Sequence, residues 1–215
     1  MHILYLDPFH GGSHAAVAEG YASHSQHNIT LLTLSIAGGW RWRMRGAAVT
    51  LARELRERVR GQYIKFDIII ATDMFDLAAF LGLTRDLTAG VPVALYFHEN
   101  QLTYPLPPGR VRDLAFPWIN YTSALAADAI CFNSDFHQRA FLEALPTLLS
   151  RFHDHQELGL IDVIAAKARV LPPGIDLARL DTAGDGGLNL SQPPSVTPPC
   201  AALVPHPPVI LWNSR

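Results

Sequence analysis

Apolar positions in this chain come in short runs separated by stretches of helical spacing. His2 to Leu6 reads as a first strand, followed by a turn through Asp7, Pro8 and Gly11-Gly12-Ser13. A helix is predicted from His14 to about Ala22, with Ser13 as its N-cap. Ile29–Leu34 is a second strand. Residues 46–60 form a helix whose stripe is Ala47, Leu51, Leu55 and Val59. Phe66–Ala71 is an apolar run around Asp67, as in a strand buried on both faces, and Asp73 is placed to cap a helix ending near Leu83. Val91–Phe97 is the next buried strand. It leads into a polar loop, His98-Glu99-Asn100-Gln101, and then into Pro105, Pro107, Pro108 and Gly109. A helix at 118–127, a strand at Ala129–Phe132, and a helix capped by Asn133 or Ser134 and running to about Leu149 come next. A helix at 158–166 and a short strand, Ala168–Leu171, end the series at Pro172-Pro173-Gly174.

Strands therefore alternate with helices, and the strands are continuous apolar runs. This predicts an α/β fold: a Rossmann-like parallel sheet with helices on both faces. Such sheets bind ligands in the crevice at the carboxyl ends of their strands. The polar clusters Gly11–His14, Asp73, His98–Gln101 and Asn133-Ser134 all follow strand ends.

Composition narrows the class. With 215 residues, 49% hydrophobic and 17% charged, the chain has enough apolar material for a core, and its net charge of −2 excludes wholesale disorder. The most apolar stretch, Ile68–Leu83, carries Asp73 and Asp76, which argues against a membrane span. The start, MHILYLDP, lacks the basic and apolar regions of a signal peptide. The two cysteines, Cys131 and Cys200, do not make a disulfide framework, so a reduced, cytoplasmic setting is expected.

The organisation changes near residue 180. Residues 1–180 read as one domain. Residues 181–208 hold Gly184, Gly186, Gly187 and seven prolines without apolar periodicity, which predicts a linker. Residues 209–215 begin a fresh strand. The expectation is that this strand opens a second domain and that the chain is a fragment or a truncated product.

Three segments carry candidate chemistry. Gly11-Gly12-Ser13-His14 joins a strand to a helix, so it is either a plain tight turn or a place where helix N–H groups meet an anion or a sugar hydroxyl. It is not a GxGxxG fingerprint. His98-Glu99-Asn100-Gln101 puts four polar side chains where burial is costly without partners. Trp40-Arg41-Trp42-Arg43-Met44-Arg45 interleaves indoles with cations. These residues either stack on and pair with single-stranded nucleic acid or pack against the domain with their arginines snorkelling. Of the seventeen basic residues fifteen are arginines, seven of them between Arg41 and Arg60. A local basic block in a near-neutral chain points to a directed anionic partner or to a solvated helix face. The histidines show no metal-site spacing, and no serine or cysteine sits in a GxSxG elbow.

FHGGSH (9–14), WRWRMR (40–45), LYFHENQLTYP (95–105), FNSDF (132–136) and VILWNSR (209–215) together resemble the tRNA-queuosine α-mannosyltransferase family. That is a glycosyltransferase family 4-like group with the two-domain GT-B fold. The resemblance covers residues 1 to about 176 and resumes at 209. It implies retaining transfer of mannose from GDP-mannose to queuosine in the anticodon loop of aspartate tRNA, with no metal required. It makes this chain the acceptor-side, N-terminal half.

On that resemblance His98 and Glu99 are the catalytic candidates. Gly11, Gly12, Ser13, Asn133, Ser134 and Arg215 are the donor-binding ones. His14, Trp40, Arg41, Trp42, Arg43, Arg45, Asn100, Gln101 and Tyr104 are the acceptor candidates. The expected partners are queuosine-containing aspartate tRNA, a sugar nucleotide and the second domain of the same parent chain, with no membrane. The lysine that follows Arg215 in the family's diphosphate clamp and the donor pocket lie beyond this sequence, so the chain alone is expected to be inactive. Two other readings remain open: a family 4-like transferase with a lipid or small-glycoside acceptor, and a non-catalytic Rossmann-like binding module.

Overall fold

A computed structural model of the protein describes residues 1–62 and 64–174. The predicted linker at 181–208, the strand at 209–215, Cys200 and Arg215 lie outside the described residues.

Six strands form one parallel sheet: β1 (His2–His10), β2 (Asn28–Ser35), β3 (Ile68–Thr72), β4 (Val93–Phe97), β5 (Ala129–Phe132) and β6 (Ala168–Val170). Their order is β2-β1-β3-β4-β5-β6, and every pairing is parallel. The connections are α1 (Ser13–His24), α2 (Trp40–Val59), α3 (Leu77–Leu83), α4 (Arg85–Thr88), α5 (Ala115–Ala126), α6 (Asp135–Leu149) and α7 (Leu160–Lys167). This is the doubly wound, Rossmann-like architecture that the alternation predicts.

The chain steps one way from β1 to β2 and the opposite way afterwards. Right-handed crossovers therefore place α1 on one face and the later helices on the other. The side chains agree. Tyr5 of β1 meets Tyr21 of α1, whereas Leu4 and Leu6, one residue away on each side, join the main core with Leu51, Leu55, Phe80, Phe132 and Phe141. The reversal makes β1 and β3 neighbours whose connections leave in opposite directions. The crevice beyond their carboxyl ends is the topological switch point, where ligands bind in folds of this order. Met44, Met74 and Phe116 form a second small core, with Phe9, Trp40 and Ile119 packed against it.

The six strands predicted within the described residues are present, with ends shifted by a few residues. Three local predictions need correction. Gly12, not Ser13, occupies the N-cap of α1, and no side chain caps that helix. Asp76, not Asp73, caps α3, its carboxylate accepting from Ala79 N–H at 2.9 Å. Helix α2 starts at Trp40, so the tryptophan–arginine segment is its first turn and a half and not a preceding loop. Ser134 does cap α6, its hydroxyl accepting from His137 N–H at 3.2 Å. No helix among the described residues is long and apolar enough to cross a membrane.

Candidate active site

At the carboxyl end of β1, Asp7 is fully buried and serves as a hub. Its Oδ1 accepts from Phe9 N–H at 3.2 Å and from the Thr72 hydroxyl at 3.3 Å, and lies 3.3 Å from His14 Nδ1. Its Oδ2 is 2.9 Å from His10 Nδ1, and the other nitrogen of His10 lies 3.1 Å from Glu19. Burial alone would raise the Asp7 pKa, but the hydrogen bond and charge of His14 outweigh it and hold the carboxyl below its ordinary value. For His14, burial pulls downward, while the hydrogen bond it donates to Asp7 and the nearby carboxylates of Asp73, Asp7 and Glu99 raise it. Asp7 and His14 are thus a buried ion pair at the first turn of α1.

His14 brings in His98. The two imidazoles stack with centroids 3.9 Å apart and planes 24° from parallel, and Tyr96 presents an edge to His98 at 4.8 Å. Burial, reinforced by the charge of His14, pushes the His98 pKa down to about 3, so this ring is neutral. A neutral imidazole and one whose proton is favoured by a carboxylate therefore face one another across the switch point.

The loop bearing His98 is held from below. Asp73 Oδ1 accepts from His98 N–H at 2.8 Å and Glu99 N–H at 3.5 Å. Asn120 of α5 bridges the two strand ends: its side-chain amide donates to the Asp73 carbonyl at 3.0 Å, and its Oδ1 accepts from Gln101 N–H at 2.7 Å. Asp73 is wholly enclosed. Burial and the neighbouring Glu99 push its pKa up to about 7 against the opposing pull of His14. Its Oδ2, like Nε2 of His98 and of His137, is buried without a hydrogen-bond partner.

The sequence-predicted residues divide. His14 and His98 meet directly. Gly11 and Gly12 lie at the mouth of the same crevice, and each needs to be glycine. A Cβ on Gly11 would sit 2.5 Å from the Ile36 side chain. Gly12 has φ 55° and ψ −128°, a conformation open essentially to glycine alone. Ser13 is exposed beside them. Glu99 is half-buried and accepts from the Gln101 side-chain amide at 3.4 Å.

Asn133 and Ser134 reach the site but are engaged internally. Asn133 Nδ2 donates to the His98 carbonyl at 2.8 Å, and Ser134 Oγ donates to Asn133 Oδ1 at 3.1 Å. Asn100 is buried in its own turn, its Oδ1 accepting from Leu102 and Thr103 N–H at 2.9 Å each. Gln101 is buried, and Tyr104 is exposed.

The tryptophan–arginine segment stands apart from this network. Arg43 is buried and donates to the carbonyls of Pro8 (3.1 Å), Gly39 (3.2 Å), Ala37 (2.7 Å) and Ser35. Arg45 pairs with Asp113 at 2.7 Å and lies over the Phe116 ring, against which Trp40 also packs. Trp42 is half-exposed, its indole lying over Gly46, while Arg41 is exposed and sits over Trp40.

Four residues of the site carry no sequence motif: Asp7, Asp73, Asn120 and His137. For the two aspartates a signal existed, since each stands where an apolar run ends.

A doubly wound parallel domain with a polar, histidine-bearing crevice at its switch point defines the class. A family profile described as tRNA-queuosine α-mannosyltransferase, N-terminal, matches residues 2–175. A tRNA-queuosine α-mannosyltransferase of Drosophila melanogaster is 32% identical over 171 residues, which cover 79% of this chain and 44% of that relative. The chain belongs to the tRNA-queuosine α-mannosyltransferase family and spans under half the length of that relative. Among solved structures, a short-chain dehydrogenase family protein from Francisella tularensis aligns with 79% of this chain and 96% of its own, at 8% identity. Its TM-score of 0.37 is too low to bear on fold or function.

Proposed function

We propose that residues 1–174 are the acceptor-side domain of a retaining glycosyltransferase that moves mannose from GDP-mannose to queuosine in the anticodon loop of aspartate tRNA. The observation that carries this reading is the stacked His14–His98 pair at the switch point, braced by buried Asp7 and Asp73. In the transfer, the bond from mannose C1 to the β-phosphate breaks and its electron pair leaves with GDP. A new bond forms to a hydroxyl oxygen of the cyclopentenediol, whose proton is released. The chemistry requires stabilised charge on the diphosphate and a positioned acceptor hydroxyl.

The glycine turn supports the first requirement, because Gly12 leaves the amino end of α1 uncapped by any side chain and its N–H groups open to an anion. A neutral His98 supports the second, as a hydrogen-bonding group that adds no charge beside the sugar. For the RNA, Arg41 and Trp42 at the start of α2 and Tyr104 in the proline-rich loop are the exposed candidates. Arg43 shapes that surface from behind, and Arg45, though exposed, is engaged by Asp113 and the Phe116 ring. The donor nucleotide is held mainly by a second domain, so the 215 residues alone bind tRNA without transferring sugar.

The test uses the protein from the longest reading frame containing this chain, labelled GDP-mannose, and tRNA from cells that make or lack queuosine. Label entering only queuosine-containing tRNA is the expected result. Label entering neither tRNA, while another acceptor is glycosylated, overturns the acceptor assignment.

A further inference from the structure

His137 belongs to none of the sequence motifs, yet it is joined to the site by hydrogen bonds of fixed direction. It sits in the first turn of α6, buried, with the rings of Phe132 and Phe97 nearly perpendicular to it at 5.2 and 6.1 Å. Its Nδ1 lies 3.0 Å from Asn133 Oδ1. The orientation of that amide is set by its other end, since Nδ2 donates to the His98 carbonyl at 2.8 Å. The atom facing His137 is therefore an acceptor, and Nδ1 must carry the imidazole proton. Nε2 is left as a bare lone pair, enclosed and without a partner. Burial pushes the pKa down to about 4, so the ring holds one proton in one place near neutrality.

The consequence reaches His98. Its backbone N–H is held by Asp73 from the β3 side, and its carbonyl is held by Asn133 from the α6 side. If Asn133 turned over, its oxygen would face the His98 carbonyl oxygen. Ser134, whose hydroxyl can rotate, does not prevent this, but His137 opposes it, because meeting the turned amide would move its proton to Nε2, which is enclosed with no acceptor. The geometry points to His137 as a positioning residue: through Asn133 it locks the His98 carbonyl and so the seat of the His98 ring against His14. The role in transfer rests on the mannosyltransferase reading above, whereas the role in holding His98 does not.

The competing account is that His137 only fills space among Phe97, Phe132 and Phe141. His137→Phe separates the two, because it keeps the ring and deletes the donor. His137→Gln keeps a donor and loses the ring. Long-range ¹H–¹⁵N NMR on this chain reads the ring nitrogens of His98 and His14 in each variant. In the transferring protein, kcat and KM for the sugar nucleotide are read separately.

The expected result for His137→Phe is displaced His98 ring signals and a kcat lowered about tenfold, with KM within about twofold. His137→Gln is expected to restore most of both. Unchanged His98 signals in His137→Phe, or a glutamine variant no better than the phenylalanine one, overturn the proposal. If no protein transfers mannose, the function reading fails and the NMR arm still decides the role of His137. Should His137→Phe not fold, Asn133→Asp, which keeps the acceptor for His137 and deletes the donor to His98, is read in its place. It must displace the same His98 signals, and the proposal falls if it does not.

Discussion

The two polar segments that stand out in the sequence, His98–Gln101 and Trp40–Arg45, are put to opposite uses. In the first, a side chain or backbone group of nearly every residue meets a partner far along the chain: Asp73, Asn120, Asn133 or His14. In the second, Arg43 spends its guanidinium on four backbone carbonyls, Arg45 is exposed but engaged by Asp113 and Phe116, and Arg41 and Trp42 are exposed without such a carboxylate partner. Polar side chains after a buried strand are costly unless paired, so they gather partners into a site. Cations at a helix start can fold back on nearby carbonyls, so their number overstates the surface they offer to a ligand.

The largest expected effect is on the buried side of this contrast. Asp7→Ala leaves His14 enclosed with its carboxylate gone, and strips the acceptor from Phe9 N–H and the Thr72 hydroxyl. Breaking a buried pair from one side costs about 3–5 kcal/mol, read from urea unfolding. A loss below about 1 kcal/mol would mean that Asp7 is not the hub its contacts indicate.

Arg43→Ala tests the other segment. It strips the donors from the carbonyls of Pro8, Ser35, Ala37 and Gly39, and about 2–3 kcal/mol of stability is expected to go with them. The salt dependence of tRNA binding is expected to stay as it is. A stable variant with a shallower salt slope would erase the distinction between the segments, because Arg43 would then be reading phosphate.

The pH dependence of stability probes the network as a whole. Between about pH 5 and 6 the unfolded chain protonates His98 and His137, which stay neutral when folded, with pKa values of about 3 and 4. In the same window folded Asp73, at about 7, keeps a proton that the unfolded carboxyl loses. The unfolded state thus binds one more proton net, and these groups make stability rise with pH by about 1.4 kcal/mol per unit. His14, raised in the fold, is charged in both states throughout this window and adds no slope. Asp73→Asn removes the opposing proton, and the slope is expected to double. An unchanged slope would show Asp73 ionised in the folded protein.

Most of the fold was legible because each strand of a parallel sheet is an apolar run that needs no distant information. The start of α2 was not. Trp40 to Arg45 shows no apolar stripe, and the turn is secured by Arg43 reaching back to Pro8. The site was legible at His98 and His14, where histidines sit beside strand ends, but their contact was not. Asp7 meets Thr72 across sixty-five residues, and Asn120 reaches Asp73 across forty-seven. Asp73 looked like a cap because a helix begins just beyond it, but Asp76 is better placed for Ala79 N–H and leaves Asp73 for the loop of His98. Nothing in the sequence marks His137, whose role depends on the orientation of one amide.

The smallest effect falls on Arg41, and it sharpens the contrast most directly. Arg41 is exposed and rests over the Trp40 ring, so replacing it by alanine is expected to change stability by less than about 0.5 kcal/mol. If it meets a phosphate of the anticodon loop, filter binding across a salt series will show the log–log slope falling by about one. Trp42→Ala is expected to weaken binding by about 1–3 kcal/mol at every salt concentration with the slope intact, as the loss of a stacked base would. Should Arg41 and Trp42 both prove indifferent, the first turn of α2 is purely a packing element, and the RNA-facing role passes to the exposed loop around Tyr104.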